Sequence, residues 1–440
     1  MFIEKDKIKK KLDKAAKLAS FGAGIFFLSV LVWFFLRGQL HFNISFTPKK
    51  IFTKTQKVEK VLNFEQEILG MPSQQEGFEG LKKYFQNLAK EKGARYAFEF
   101  LKIAPVPPNT DLHLLGHTIG DELYKQENLQ GMTACTNDFR NACSHSIVVG
   151  LFWDKGEEAL APIAEVCRKA PGSSGAYTMC FHGLGHGILS YFGYDIKKTI
   201  AMCIKTGTPA YQYQESSQCI SGAVMEIVGG GFHDRDLWKA QRAKTLNTNK
   251  PLGVCTDFGM PDYSKHMCYV YLTPFLWEAV GGDPFHPTPE TTKKAFALCE
   301  KIPKTEPQNR NACFGGFGKE FNGLVMSRDI RLSAVKEIKD SQILEIHNWC
   351  KLADVEENIG YCLDHAMNSL YWGGENDKTI AIRFCSLVVE TNYQVNCFKS
   401  LINAAFYYSK DPKYLNEFCL ALPGAPQNGC FERLKNGPRK

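Results

Sequence analysis

The sixteen cysteines of this 440-residue chain alternate between short and long separations along the sequence. Taken two at a time from Cys135 onward, the members of a pair lie 8 to 16 residues apart, whereas neighbouring pairs are 22 to 37 residues apart. No C-x-x-C sequence occurs, which argues against zinc ribbons and thioredoxin chemistry. An even set of closely paired cysteines instead predicts disulfide bonds between nearest neighbours and an oxidising compartment. The predicted bonds are Cys135–Cys143, Cys167–Cys180, Cys203–Cys219, Cys255–Cys268, Cys299–Cys313, Cys350–Cys362, Cys385–Cys397 and Cys419–Cys430.

The sequence around each cysteine pair also recurs, and it indicates two helices joined by a loop. The first cysteine ends an apolar periodic stretch that is followed by Lys, Gly or Pro, which are helix-stop signals. The second cysteine opens a stretch in which apolar residues return every three or four positions, as in Phe181, Leu184 and Ile188. Successive second cysteines are 33 to 49 residues apart, which is the period of helical-hairpin solenoids. The sequence therefore predicts an all-α fold, an α-solenoid of disulfide-clamped helical hairpins.

From about Thr110 to the C-terminus, this layout resembles the cysteine-stapled members of the Sel1-like and tetratricopeptide repeat class of exported proteins. The resemblance lies in the order of helices and cysteines. The cysteine spacing here is longer, and the tetratricopeptide pattern of Trp, Gly, Tyr and Pro is absent. The resemblance implies a right-handed helical solenoid that presents a groove, and a binding role without a named ligand. A protein or peptide in that groove is one candidate partner.

An apolar run near the N-terminus predicts a membrane anchor. Residues 19–36 contain no charged side chain and would span about 27 Å as a helix, close to the hydrocarbon thickness of a bilayer. Seven lysines precede this run, and the positive-inside rule therefore predicts a cytoplasmic N-terminus and a periplasmic or extracellular main domain. No small-x-small cleavage site follows the run, which favours an uncleaved signal-anchor over a cleaved signal peptide.

The positive charge of the chain is concentrated at this end. Residues 1–60 carry 13 basic and 4 acidic side chains, whereas the rest of the chain carries 40 and 42. A nearly neutral body argues against nucleic acid as a partner, because phosphate neutralisation needs a basic surface. The predicted organisation is a basic cytoplasmic tail (1–18), a transmembrane signal-anchor (19–36), a stalk (37–75), leading helices (76–109), histidine-rich hairpins (110–240) and further cysteine-paired hairpins (241–440).

Five of the eleven histidines recur at matching positions of the first hairpins. The segments that end at His117 and His186 share the pattern H-x-x-G-H, and Asp111 occupies the place of a second cysteine in the earlier one. Residues four apart lie on one helical face, so each such pair can offer two imidazoles to one metal ion. The predicted metal ligands are His113, His117, His145, His182 and His186.

A shared metal site places a demand on how the hairpins pack. Equivalent residues in adjacent repeats lie about 8–10 Å apart, so histidines two repeats apart meet only if the first hairpins curve strongly or close on themselves. Glycine beside each histidine pair allows another helix to approach closely. These glycines are Gly116, Gly120, Gly183 and Gly187.

The residue types limit the chemistry of such a site. Imidazole and carboxylate together suit a divalent ion of Zn, Fe, Cu or Mn, and an open coordination position would let the metal activate water or dioxygen. Asp121, four residues after His117, and Glu226 are the candidate catalytic residues as proton carriers; Glu226 shares its repeat position with Glu320. Two other interpretations remain open. The histidines bond to carbonyls of neighbouring hairpins as structural groups, or one of them acts in catalysis without a metal.

These patterns leave three functions open. The first is a membrane-anchored, exported binding or scaffold protein with a histidine metal site in its first hairpins. The second is a metal-dependent enzyme, a hydrolase or an oxidoreductase, that uses the same histidines. The third is a metal-free scaffold that binds a protein or peptide through its groove.

Overall fold

The computed structural model describes residues 64–170, 174–231, 234–371, 378–409 and 411–436. Every regular element in these ranges is a helix, as the cysteine and apolar patterns predict. The predicted cytoplasmic tail and signal-anchor lie outside the described residues, and so does most of the predicted stalk. Within the ranges given above, no helix has both the length and the apolar character needed to cross a bilayer.

The α-helices follow one another in short, regular units. The leading ones are α1 (Glu65–Leu69), α2 (Gly77–Lys92) and α3 (Ala94–Leu101). The histidine-rich hairpins contain α4 (Leu112–Glu127), α5 (Ala142–Lys155), α6 (Leu160–Cys167), α7 (Ser174–Tyr191), α8 (Ile196–Ile204), α9 (Gln214–Gly229) and α10 (Arg235–Thr245). The later hairpins contain α11 (Asp262–Tyr271), α12 (Thr273–Ala279), α13 (Pro289–Cys299), α14 (Pro307–Val325), α15 (Leu332–Lys336), α16 (Asp340–Lys351), α17 (Glu356–Tyr371), α18 (Lys378–Ser386), α19 (Thr391–Tyr408), α20 (Pro412–Ala421) and α21 (Gly424–Asn436). Helix α1 lies inside the segment predicted as a stalk.

One helix of each hairpin packs against its counterparts before and after it along the chain. These inner helices, which carry the second cysteines from α5 onward, are α4, α5, α7, α9, α11, α14, α17, α19 and α21. Helix α4 begins instead at Asp111, whose carboxylate caps it by accepting a hydrogen bond from the Leu114 N–H at 2.9 Å. Buried aromatic side chains such as Phe152, Trp277 and Phe314 belong to one continuous apolar core, so the hairpins stack in sequence order.

All sixteen cysteines form the eight disulfide bonds predicted from the sequence, with Cα–Cα distances of 5.3 to 5.7 Å. Six of the first cysteines lie at the end of an α-helix. Cys135 and Cys255 differ, because they end the 3₁₀ segments Asn128–Ala134 and Gly253–Cys255. Every bond therefore clamps the turn of a single hairpin.

The series of inner helices curves so strongly that distant parts of the chain meet. The Asn109 N–H donates to the Ser327 carbonyl at 2.7 Å. The Arg331 guanidinium donates to the Ala104 carbonyl at 2.9 Å, across 227 residues of sequence. Helices from both halves of the series line one lumen, which contains cavities of about 770 and 410 Å³. The groove implied by the repeat resemblance is thus the inside of a tight curve.

Glycine makes the close packing of the first inner helices possible. A Cβ atom at Gly120 would lie 2.7 Å from the Ser146 Cβ, and one at Gly183 would lie 2.5 Å from the His145 Cβ. At Gly185 it would lie 1.9 Å from the Cys219 carbonyl oxygen. Any larger residue at these positions would push the backbones apart, so the glycines beside the histidines set the distance between the helices that carry them.

Candidate metal centre

One position of the repeat faces the lumen in hairpin after hairpin. The residue six places after the second cysteine lines one or both cavities in α5, α7, α9, α14, α17 and α19, and at the start of α12. His117 holds the same place relative to Asp111 and lines the smaller cavity. The residues at this lumen position are His117, Val149, His186, Met225, Pro274, Lys319, Asn368 and Asn403.

Four of the five predicted ligands converge at this level of the lumen. A ring nitrogen from each of His113, His117, His145 and His186 lies within 4.8 Å of the others. The first two lie one turn apart on α4, with ring centroids separated by 4.7 Å. The His145 ring comes from α5 and lies 5.7 Å from that of His117, and the His186 ring comes from α7 and lies 5.6 Å from it. From the sequence, a shared site required either strong curvature of the first hairpins or their closure on themselves. Strong curvature of the inner helices brings the four rings together.

Hydrogen bonds fix the orientation of three of these rings. His113 Nδ1 lies 2.7 Å from the Phe139 carbonyl oxygen, which can only accept, so Nδ1 carries the proton. His117 Nδ1 lies 3.0 Å from Ser146 Oγ, whose own proton is directed to the His117 carbonyl. His186 Nδ1 lies 3.0 Å from Glu226 Oε2. A neutral imidazole whose proton is on Nδ1 presents its Nε2 lone pair, which is the arrangement found for metal-bound histidine.

The other ring nitrogens of the four histidines are buried close together without hydrogen bonds among the described residues that would account for their positions. The Nε2 atoms of His113 and His117 lie 3.2 Å apart, although both are acceptors in these tautomers. Both ring nitrogens of His145, and Nε2 of His186, are buried without a hydrogen-bond partner among the described residues. Each such buried polar atom costs about 1–3 kcal/mol when nothing satisfies it. A cation between the four rings would bind one nitrogen of each ring.

The electrostatic surroundings keep two of these rings, His113 and His145, uncharged. Burial, and secondarily the neighbouring imidazoles, lower the pKa of His113 to about 3 and that of His145 well below its usual value. Neutral imidazole is the form that coordinates a metal ion.

The fifth predicted ligand, His182, lies beside this group. Its ring centroid is 5.0 Å from that of His186 and 4.8 Å from that of Tyr271. Its Nδ1 lies 2.8 Å from Ser221 Oγ, and its side chain lines the larger cavity. Its ring nitrogens are not among the four that lie within 4.8 Å of one another, so the structure brings four of the five predicted ligands together and leaves His182 at the rim.

Asp121 and Glu226 occupy different places relative to the four histidines. Glu226 is attached to His186, and its second carboxylate oxygen accepts the Gly231 N–H at 2.8 Å. Asp121 lies beside Ser146, and burial raises its pKa to about 7. Neither cavity lining includes Asp121 among the described side chains, so it reaches the site only through Ser146 and His117.

Glu320, which shares the repeat position of Glu226, belongs to an ion group that lines the smaller cavity. Its carboxylate pairs with Lys319, and it lies 3.6 Å from the Arg328 guanidinium. Burial alone would raise the pKa of Glu320, but these cations outweigh it and hold the pKa at about 2. Glu320 is therefore ionised and paired with these cations.

Arg140, Lys319 and Tyr271 were not singled out by the sequence analysis, yet they lie beside the histidines. All three line both cavities, together with His113 and Met225. Lys319 follows Cys313 by six residues and so holds the lumen position of His186, a signal that an alignment of the repeats could have used. Arg140 has no such signal, because it lies in the turn that precedes α5.

Four imidazoles without a carboxylate ligand would fill a tetrahedral coordination sphere and leave two positions of an octahedral one. His113, His117 and His186 line the smaller cavity, and His113 and His145 line the larger, so the four rings border both cavities. No family model, curated protein or solved structure matches this chain.

Proposed function

We propose that this protein is an exported, membrane-anchored helical-repeat protein that holds one divalent transition-metal ion in its lumen. The ligands are His113, His117, His145 and His186. The observation that carries this proposal is the convergence of their buried ring nitrogens, several of which have no other partner among the described residues. Imidazole ligation suits zinc, iron, copper and manganese.

The surroundings favour a functional role for the metal over a structural one. Structural zinc ions contribute folding energy to small domains that lack other sources of it. Here eight disulfide bonds and a continuous core already stabilise the fold. The four rings also border open volume on two sides, which a purely structural ion does not need.

A metal-dependent enzyme is the second candidate function, and one observation favours it specifically. The cavities beside the histidines, at about 770 and 410 Å³, have the size of small-molecule sites. An ion that keeps an open position would meet a small substrate there, whereas a metal with all positions filled by protein would indicate a binding or scaffold role.

Metal analysis of the full chain tests the proposal. The oxidised protein, purified in detergent without chelators, is analysed by mass spectrometry for bound metal and then reconstituted separately with Zn²⁺, Fe²⁺, Cu²⁺ and Mn²⁺. We expect close to one ion per chain with the preferred metal. We also expect His145→Gln and His186→Gln to lose it.

The matched control is His347→Gln. His347 is also buried and also has a ring nitrogen without a partner in the described ranges, but it packs on Phe384, away from the four rings. This variant should keep the metal. Failure of the native chain, with its disulfides intact, to bind any of the four ions stoichiometrically would contradict the proposal, and so would full retention by His145→Gln.

A further inference from the structure

A positively charged wall lies directly beside the four histidines. Five residues line both cavities, and two of them, Arg140 and Lys319, are cations. They share this wall with His113, one of the four converging rings, and with Tyr271, whose ring centroid is 4.7 Å from Lys319 Nζ. Both cavities therefore share a wall that carries two cations.

Arg140 is held there by an unusual turn. Phe139, Arg140 and Asn141 all adopt left-handed conformations, with φ of 56°, 52° and 65°. Non-glycine residues rarely do so, and such strain concentrates at functional sites. The same turn presents the Phe139 carbonyl that orients His113. One strained segment thus orients a predicted ligand and carries a guanidinium beside it.

The charge of Arg140 helps to lower the pKa of Glu320, but the ion pairs and hydrogen bonds of the acidic groups around the smaller cavity are made with other residues. The acidic groups there are each engaged: Glu226 with His186, Glu278 with Arg242, and Glu320 with Lys319. Asp111 caps α4. No hydrogen bond or ion pair joins Arg140 to another residue in the part of the chain that the structure describes.

The lining of the larger cavity also carries more positive than negative side chains. Its lining contains the cations Arg140, Lys319 and Arg433, with Asp364 as the one carboxylate among the described residues. Burial raises the pKa of Asp364 to about 6, so it offsets little of this charge in mildly acidic solution. A divalent ion on neutral imidazoles would add two further positive charges to the wall.

We infer that this wall is an oxyanion subsite, in which a carboxylate or phosphate group of a small molecule lies between the metal and the Arg140 guanidinium, with Lys319 as the second cation. The planar guanidinium fork suits either group through two parallel hydrogen bonds. The inference rests on the proposed metal function and names the class of ligand for that site, an anionic small molecule.

Anion titration of the Co²⁺-loaded full chain tests this inference, since the visible spectrum of Co²⁺ reports changes in its coordination. Inorganic phosphate and acetate are titrated separately. We expect a saturable spectral change with one or both; a response to phosphate alone assigns a phosphate ligand, and a response to acetate alone assigns a carboxylate. Arg140→Gln should raise the half-saturating concentration by about 10-fold or more while the Co²⁺ content stays the same.

Arg433→Gln is the matched control, because Arg433 lines the larger cavity but bonds to Asn403, and it should leave both titrations unchanged. Lys319→Gln should weaken anion binding like Arg140→Gln. A chain that binds Co²⁺ but responds to neither anion would overturn the subsite and leave the metal proposal standing, as would an Arg140→Gln protein that binds anions normally. A chain that takes up no metal would overturn both.

Discussion

The hairpins before and after residue 240 share their architecture and differ in the chemistry they present. In both halves a disulfide clamps the turn before each inner helix, apart from α4, and the inner helices cross at glycines in the same register. A Cβ at Gly185 would lie 1.9 Å from the Cys219 carbonyl oxygen, and one at Gly318 would lie 2.0 Å from that of Cys362. Both glycines follow their second cysteine by five residues, so the same contact is built twice.

The difference lies in the residues that face the lumen. At the position six residues after the cysteine, α7 has His186 whereas α14 has Lys319. At the position two residues after the cysteine, α7 has His182 whereas α14 has Gly315. The absence of a side chain at Gly315 leaves room for His365 of the next hairpin. The comparison teaches that cysteines, glycines and apolar spacing determine the scaffold, whereas a few lumen positions determine what the scaffold binds.

The largest effect should come from the shared glycine contacts. Gly185→Ala and Gly318→Ala each force a methyl group against a carbonyl oxygen, so we expect each to lower the free energy of unfolding by about 3 kcal/mol or more. This outweighs the gain of about 1 kcal/mol in helix propensity. Denaturant unfolding of both variants measures it. A large loss for one and none for the other would show that the halves pack differently.

Disulfide removal should separate stability from metal binding. The Cys167→Ala/Cys180→Ala and Cys350→Ala/Cys362→Ala variants open turns of similar length, with separations of 13 and 12 residues. Each should lose about 2–3 kcal/mol of unfolding free energy. Only the first should weaken metal binding, measured by calorimetry with Zn²⁺, because α7 carries His186. Equal weakening by both would contradict a site confined to the first hairpins.

The two equivalent glutamates sharpen the comparison at the site itself. Glu226→Gln removes the carboxylate that orients His186, and we expect metal affinity to fall about 10- to 100-fold. Glu320→Gln alters the matching position in the other half and should change the affinity much less. Competition with a chelator of known affinity measures both. Equal effects would mean that net charge, and not ligand orientation, controls the affinity.

The smallest expected effect concerns pH. Burial raises the pKa of Asp364 to about 6 and that of Asp121 to about 7, from 3.8. A carboxyl with a raised pKa holds its proton more tightly in the folded state, so stability falls as pH rises from about 4 toward these values. Between pH 6 and 7 mainly Asp121 contributes, about 1 kcal/mol. Asp121→Asn should flatten stability there, measured by unfolding at each pH, whereas Asp364→Asn should flatten it only below pH 6.

The sequence was sufficient to predict the scaffold because its determinants are local. Every disulfide bond lies within one hairpin, so cysteine spacing alone predicted the pairing. Helical periodicity likewise predicted the hairpins, and the repeat register singled out the residues of the four-histidine group.

The convergence of the rings could not be predicted in the same way. It depends on the curvature of the whole series of inner helices. This curvature accumulates over many contacts between helices, such as the one at Gly185. Arg140 was missed because its place depends on a left-handed turn without a glycine to mark it. His182 satisfies the same spacing rule as His113 and yet lies at the rim, since spacing gives the face of a helix and not the distance to a common centre.

The contacts that close the curve join residues far apart in sequence, and this has a consequence for the order of assembly. During synthesis the N-terminal part emerges first, and all four converging histidines have emerged once His186 has. The segment around Ser327 and Arg331, which returns to Asn109 and Ala104, follows about 140 residues later. The newly made chain therefore has an interval in which all four imidazoles are present and the later hairpins are not, and the proposed ion would have free access to them during that interval.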